Sequence, residues 1–230
     1  MRGPRRIAID GPAGSGKSTI GEELAHQLGY LYVDTGAMYR ALAWLALQDG
    51  IEASDGPALA RLAHTAEMKI SRPEIADGRQ YTVTVHGRDI TWAIRETAVT
   101  RAVSPIAAHP EVRSILIAQQ RELAARGYVV MVGRDIGAIV LPDAELKIYL
   151  TASLAERARR RYAELQARLG AGAPHPPLSS LDEVMADIER RDAIDHDNMR
   201  PALDAVVIDT DHLSVEEVLV VIHRYMEGRV

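Results

Sequence analysis

This chain of 230 residues contains no cysteine and no phenylalanine, and aromatic residues make up only 4% of it. Without cysteine there is no disulfide framework, no thiol catalysis and no cysteine-ligated zinc. The scarcity of aromatic rings also argues against a platform on which single-stranded nucleic-acid bases would stack. Several protein classes are therefore excluded before any motif is considered.

Long apolar runs are missing as well. The longest covers residues 41–47, far short of the about 20 residues that a membrane-spanning helix needs. Residues 1–10 hold a single apolar stretch, Ile7, Ala8 and Ile9, which is too short for the core of a signal peptide. We therefore expect a cytoplasmic protein with no membrane partner.

Charge of one sign does not dominate the chain. It has 27 Lys and Arg against 32 Asp and Glu, a net charge of −5, so we expect no nucleic-acid partner. Lysine is rare, with only Lys17, Lys69 and Lys147. The preference for arginine has two alternative explanations: coding bias, or a functional need for the planar arginine fork, which clamps phosphates well.

Apolar runs typical of buried strands alternate with helical patterns, which predicts an α/β fold with a five-stranded parallel sheet. The predicted strands cover residues 6–9, 30–33, 128–132, 146–150 and 205–208. Helices are predicted at residues 18–28, 37–48, 157–169 and 181–194. A last helix follows Ser214, where Glu217 completes a capping-box pattern.

Two segments interrupt this alternation. Polar and apolar residues alternate at 81–85, so residues about 63–100 are predicted to form a small antiparallel β insertion. Residues 169–180 are rich in Gly, Ala, Pro and Ser, which predicts a short mobile lid at about 157–181. The core of this single domain is predicted to comprise residues 1–62, 101–156 and 182–230.

The strongest motif, GPAGSGKS at residues 11–18, fits the phosphate-binding pattern G-x-x-x-x-G-K-[ST] between a predicted strand and helix. Its glycines let backbone N–H groups face phosphate oxygens, and the helix N-terminus favours negative charge. Lys17 would bridge the outer phosphates and Ser18 would face Mg2+, so ATP and Mg2+ are the expected cofactors. The predicted nucleotide-binding residues are Gly11, Pro12, Ala13, Gly14, Ser15, Gly16, Lys17, Ser18 and Thr19.

A phosphate-binding loop alone does not define a kinase, because GTPases and ATPases share it. The N-K-x-D guanine-reading motif is absent, since Asn198 is the only asparagine and is followed by Met199. No Asp stands three residues before a Gly, as a D-x-x-G switch requires. The predicted strand at 128–132 leads into Gly-Arg-Asp at 133–135 rather than ending in a single acidic residue. These absences favour a small-molecule kinase.

Arginine recurs near predicted strand and helix ends, three times together with aspartate. Ligands of open α/β sheets bind at the carboxyl ends of the strands. Taken alone, Thr35 would be a helix cap and Arg40 a solvated surface charge. Because arginine recurs in four separate segments, these residues are instead expected to bind a ligand. The segments are DTGAMYR at 34–40, GRDIG at 133–137, RDAID at 191–195 and Arg113 at the start of a long helix.

Together with the phosphate-binding motif, these segments resemble the bacterial cytidylate kinases, a family of P-loop nucleoside monophosphate kinases. The resemblance extends from Ile7 to the SVEE segment at 214–217 and includes the small β insertion. It implies a three-layer P-loop fold, a monomer, and transfer of the γ-phosphate of ATP to CMP or dCMP. Two alternatives stay open: a P-loop kinase for another small acceptor, and a non-catalytic nucleotide-binding switch.

The resemblance also implies roles for single residues at the acceptor. Thr35, Arg40 and Arg134 would hold the acceptor phosphate. Arg191 and Asp195 would contact the acceptor nucleotide, with Asp195 near the sugar hydroxyls.

The base would be read by Ser104, Arg113 and Asp135. An Asp and Arg pair suits cytosine, because a carboxylate accepts from the N4 amine while a guanidinium donates to the ring. Uracil reverses this pattern and would leave buried groups unpaired.

Two further expectations concern arginines. Arg157 and Arg161 share a helix face at i, i+4, and a lid would bring Arg157 or Arg161 to the transferring phosphoryl group and exclude water, although a solvated basic face is the alternative. Asn198 stands where many relatives carry arginine, and Arg200 is the candidate replacement. The predicted catalytic residues are Lys17, Arg157 and Arg161.

Overall fold

The computed structural model describes residues 3–170, 180–195 and 199–228. The chain divides into two compact units, the first formed by Met1–Leu24 with Val132–Val230 and the second by Ala25–Met131. The predicted lid at 157–181 lies partly outside the described residues, and Asn198 lies wholly outside them.

The main sheet has five strands: β1 (Arg6–Asp10), β2 (Leu31–Asp34), β6 (Val129–Val132), β7 (Leu146–Thr151) and β8 (Val206–Asp209). Their order is β2-β6-β1-β7-β8, and β7 pairs in parallel with both β1 and β8. Continuous apolar runs in β1 and β6 fit strands that are covered on both faces. The predicted α/β fold with a five-stranded parallel sheet is confirmed.

A small antiparallel sheet lies in the second unit, as predicted. Its strands, in the order in which they pair, are β3 (Met68–Ser71), β4 (Thr82–Val85) and β5 (Arg88–Asp89). His86 and Gly87 join the last two strands with positive φ values of 48° and 77°, which a two-residue hairpin turn of the mirror-image type requires.

Eight α-helices accompany the strands within the described ranges, and none of them is long and apolar enough to cross a membrane. They are α1 (Lys17–Leu28), α2 (Thr35–Gln48), α3 (Gly56–Thr65), α4 (Thr97–Ala107), α5 (Pro110–Ala125), α6 (Leu154–Gly170), α7 (Leu181–Asp195) and α8 (Val215–Met226). The capping box predicted before α8 is present, with reciprocal hydrogen bonds between Ser214 and Glu217. In the first unit, α6 and α7 pack around Ala158, Val184 and Ile188.

Helices α3 and α4 were not predicted. In α3 the carboxylate of Asp55 caps the first turn by accepting from the N–H of Ala58, and Pro57 stands at the start of the helix, where proline is tolerated. Pro105 lies inside α4, a position that the sequence pattern would assign to a break. Residues Ile136–Val140 form a short π-helical turn, which no periodicity in so short a segment predicts.

Candidate nucleotide-binding site

Residues 11–18, named here the phosphate loop, join β1 to α1 through a backbone that demands glycine. Gly11 and Gly14 have φ values of 144° and 80°, which L side chains rarely adopt. A Cβ atom at Gly11 would lie 2.0 Å from the carbonyl oxygen of Leu150, and one at Gly14 would lie 3.0 Å from that of Arg157. The loop therefore keeps its shape only with glycine at both positions.

Several polar groups of the phosphate loop are suited to binding a negatively charged ligand. Nζ of Lys17 donates to the carbonyl oxygen of Pro12 over 2.6 Å, so the ammonium is held across the loop. Ser15 is fully buried, and its hydroxyl has no hydrogen-bond partner among the described residues. Ser18 lies in the first turn of α1, where the positive end of the helix dipole favours an anion. This donor set fits a phosphate group.

Arg157 connects the phosphate loop to α7. It is only 6% exposed, and its Nε donates to the carbonyl oxygen of Ala152 over 3.1 Å. Its Nη1 lies 3.3 Å from the carbonyl oxygen of Ala13 and 2.7 Å from Oδ2 of Asp192. The predicted lid arginine thus lies beside the loop, and its catalytic role stays a prediction.

Arg160 also supports the phosphate loop, through the hydroxyl of Thr210. Its Nη1 donates to Oγ1 of Thr210 over 2.9 Å, and that hydroxyl donates to the carbonyl oxygen of Ser15 over 3.2 Å. Glu156 accepts from Nε of Arg160 over 2.8 Å and holds the guanidinium in place. A Cβ atom at Gly16 would lie 4.0 Å from Nη1 of Arg160, so this cation borders the loop.

Arg161 and Arg191 lie among other cations. Arg161 pairs with Glu164 at 2.7 Å, and Arg191 pairs with Asp187 at 2.9 Å. Burial lowers the pKa of Arg191, and the nearby charges of Arg161 and Arg134 lower it further although Asp187 opposes them. An anion bound here would relieve this repulsion between arginines.

Arg134 and Asp135 follow β6. Nη1 of Arg134 lies 3.1 Å from the sulfur of Met199, and Asp135 is 9% exposed. Asp10, the last residue of β1, accepts from the N–H of Ile136, the residue that follows Asp135. Burial raises the pKa of Asp10 to about 6, although the backbone hydrogen bonds and the charge of Lys17 lower it.

In the second unit, Asp34 and Arg40 form the centre of a polar cluster. Oδ1 of Asp34 accepts from the N–H of Gly36 over 2.9 Å, and Oδ2 lies 2.6 Å from Arg40. The hydroxyl of Tyr81 donates to Asp34 over 3.1 Å, and the guanidinium of Arg95 lies 5.7 Å from the centre of the Tyr81 ring. Burial alone would raise the pKa of Asp34, but Arg40 holds it below its ordinary value.

The other predicted residues are divided between the units. Thr35 begins α2 and is 5% exposed, Ser104 lies in α4, and Arg113 lies in the first turn of α5. These three belong to the second unit, together with Arg40. Asp195 ends α7, but its side chain lies outside the described part of the chain, as does Asn198.

A glycine loop that joins a buried strand to a helix, with Lys17 across it and arginines beside it, defines a P-loop protein that binds nucleoside triphosphates. The family model for cytidylate kinase matches residues 7–228. The chain belongs to the cytidylate kinase family.

Two relatives support this assignment, and one solved structure shares the fold. A protein named cytidylate kinase from Chloroflexus aggregans is 52% identical over 98% of this chain and 96% of its own length. A protein of the same name from Herpetosiphon aurantiacus is 52% identical over 95% of this chain and 92% of its own. The crystal structure of an uncharacterized protein from Eubacterium ventriosum shares the fold, with a TM-score of 0.51, 11% identity, and coverage of 97% of this chain and 99% of that one.

Sequence reasoning did not select several residues of this region. Asp10 could have been found, because a carboxylate that directly follows a buried apolar run and precedes a phosphate loop is unusual. Arg160 was hidden in a run of arginines. Tyr81 stands 47 positions from Asp34, and no local pattern connects them.

Proposed function

We propose that this chain transfers the γ-phosphate of Mg2+-bound ATP to CMP or dCMP, giving ADP and CDP or dCDP. The observation that carries this proposal is the phosphate loop, crossed by Lys17 and bordered by Arg157 and Arg160. Membership of the cytidylate kinase family supports the choice of acceptor. A hydroxyl acceptor would need a carboxylate base, but Asp34, the obvious candidate, is paired with Arg40 and has a lowered pKa.

At the donor, the backbone N–H groups of the phosphate loop and the ammonium of Lys17 would hold the phosphates. Ser18 would hold Mg2+ together with phosphate oxygens. The described residues contain no cluster of acidic or histidine side chains that could bind a metal, which fits an ion held mainly by the nucleotide. When bound, Mg2+ would neutralise part of the phosphate charge.

At the acceptor, Thr35, Arg40 and Arg134 would hold the phosphate, and Ser104, Arg113 and Asp135 would read the base. Arg191 and Asp195 would contact the rest of the nucleotide. The mutual repulsion of Arg191, Arg161 and Arg134 supports an anion on the first unit, because a phosphate would relieve it. Arg40 and Arg95 support an anion on the second unit, because the Nε atoms of both are buried without a partner among the described residues.

Phosphoryl transfer requires little beyond positioning and neutralisation of charge, since the acceptor phosphate is already an anion. The main obstacle is repulsion between two polyanions. Lys17, Arg157 and Arg161 would offset it, and closure of a lid over the site would exclude water, the competing acceptor.

The test is ADP release from Mg2+-bound ATP with CMP, dCMP, UMP, AMP, GMP or no acceptor. We expect turnover with CMP and dCMP and little with the others. ADP release that does not depend on an acceptor would replace the proposal with an ATPase or a switch. Turnover with another nucleotide alone would replace CMP as the acceptor.

A further inference from the structure

The carboxylate of Asp10 lies where two parts of the first unit meet. Oδ1 accepts from the N–H of Ile136 and Oδ2 accepts from the N–H of Gly137, each over 2.7 Å. Asp10 is 4% exposed, so both bonds are shielded from water. The next residue along the chain is Gly11, the first residue of the phosphate loop.

The segment that Asp10 binds is held on both sides of Arg134 and Asp135. Before them, the N–H of Gly133 donates to the carbonyl oxygen of Ile9 over 3.1 Å. After them, the two N–H groups bind Asp10. Only Arg134 and Asp135 lie between these anchors, so the end of β1 sets where both of them stand.

Close approach at this point requires Gly137. A Cβ atom there would lie 3.3 Å from Oδ2 of Asp10 and 3.3 Å from the side-chain carbons of Lys147. This spacing is tighter than an ordinary van der Waals contact, so a larger residue would push the segment away from the carboxylate.

Burying the carboxylate of Asp10 costs free energy, and the charged groups around it only partly reduce this cost. Asp135 is a like charge that raises the pKa of Asp10, and Lys17 is the opposite charge that lowers it. Tyr149 also lies near it, since burial raises the pKa of that phenol and the charge of Asp10 raises it further. The ammonium of Lys147 is bound to Pro142 and Asp204 instead. An apolar side chain would avoid the cost of a buried carboxylate, so the two N–H contacts are what the residue provides.

We propose that Asp10 is a positioning residue that sets the orientation of Arg134 and Asp135 toward the acceptor nucleotide. This inference rests on the acceptor roles of Arg134 and Asp135 in the proposed function. The ionised carboxylate accepts both N–H bonds, whereas a protonated or amide group accepts fewer and lets the segment turn.

The decisive variant is Asp10→Asn, which keeps the size of the side chain but accepts only one of the two N–H bonds. We expect the KM for CMP to rise about tenfold, the effect of about one hydrogen bond, while the KM for ATP changes less than about threefold. Asp204→Asn is the matched control, because it removes a carboxylate from buried Lys147 and leaves both N–H bonds to Asp10 in place. The control should leave the KM for CMP unchanged.

A pH profile separates positioning from a merely structural role. The phosphate of CMP also titrates near pH 6, but it does so equally for every variant. The ratio of wild-type to Asp10→Asn kcat/KM for CMP should therefore fall toward one as the pH drops below about 6. A ratio that is constant with pH would overturn the proposal.

Two further outcomes overturn the inference without touching the proposed function: an unchanged KM for CMP in Asp10→Asn, or equal rises in KM for CMP and ATP. If Asp10→Asn does not fold, Gly137→Ala tests the same contact with the charge intact, and an unchanged KM for CMP in that variant overturns the inference. A wild-type protein with no CMP-dependent turnover would instead reject the proposed function, and the inference with it.

Discussion

Asp10 and Asp34 each end a strand of the main sheet, one in each unit, but their surroundings have opposite effects. Asp34 faces the guanidinium of Arg40 at 2.6 Å, which holds its pKa below the ordinary value. Asp10 accepts from two backbone N–H donors and feels the charge of Lys17, but burial raises its pKa to about 6. At Asp10 the two backbone N–H bonds therefore do not offset burial, whereas at Asp34 the adjacent arginine does so together with Tyr81 and the N–H of Gly36.

Among the residues around Asp10, Lys17→Ala is the substitution with the largest expected effect on activity. Because Lys17 would meet the charge that develops on the transferring phosphate, kcat should fall by about two to three powers of ten or more. Steady-state ADP release with CMP measures this loss. Lys69→Ala removes an exposed lysine and is the control; near-normal turnover of Lys17→Ala would contradict the assignment of the phosphate loop.

The corresponding change on the Asp34 side is Arg40→Ala. It leaves a partly buried carboxylate without its cation, so we expect a loss of about 2–4 kcal/mol in the free energy of unfolding and a higher KM for CMP. Urea unfolding measures the first effect. Arg40→Ala combined with Asp34→Asn should recover part of the stability, and no recovery would show that the two charges are not coupled.

Asp135→Ala removes the like charge that faces Asp10. We expect kcat/KM for CMP to fall about five- to 150-fold, equivalent to about 1–3 kcal/mol, because a hydrogen-bonding group for the base is lost. The effect on ATP binding should be smaller. Parallel titrations of CMP and of ATP provide the measurement. Equal losses for both nucleotides would assign Asp135 to the structure of the site rather than to reading the base.

The smallest expected effects concern stability and pH. The folded pKa of Asp34 is lowered, so its contribution is present above its ordinary pKa of about 3.9 and is lost as the pH falls through the folded value. The folded pKa of Asp10 is raised, so its contribution is present below about pH 4 and is lost as the pH rises through about 6.

Unfolding of Asp34→Asn and Asp10→Asn from pH 3 to 8 tests these opposite signs. At pH 7 we expect Asp34→Asn to cost about 1–2 kcal/mol. Asp10→Asn should cost less than about 1 kcal/mol, because relief of a buried charge offsets the lost hydrogen bond. The wild-type advantage should grow with pH for Asp34 and shrink for Asp10, and parallel slopes would refute the comparison.

The sequence predicted the elements whose signal is local. The five strands, the small antiparallel sheet, the capping box before α8 and the cytidylate kinase family are confirmed. The phosphate loop was recognisable because its glycines, Lys17 and Ser18 are consecutive and each answers to a backbone or charge requirement.

The missing features depend on contacts between distant residues. The bond from Tyr81 to Asp34 and the bonds from Ile136 and Gly137 to Asp10 join residues separated by 47, 126 and 127 positions. Periodicity carries no information on such pairs. Arg160 was passed over because a run of arginines does not show which of them turns toward Thr210.

The hydrogen bond from Thr210 to the carbonyl oxygen of Ser15 has a thermodynamic consequence. Thr210 and Arg157 donate to carbonyl groups of the phosphate loop, and Arg160 donates to Thr210, so contacts within the protein fix the shape of the loop. The conformational entropy of ordering this loop is lost when the chain folds rather than when ATP binds. Each catalytic cycle then begins from a preorganised site, and the affinity for ATP is not reduced by the ordering of the loop.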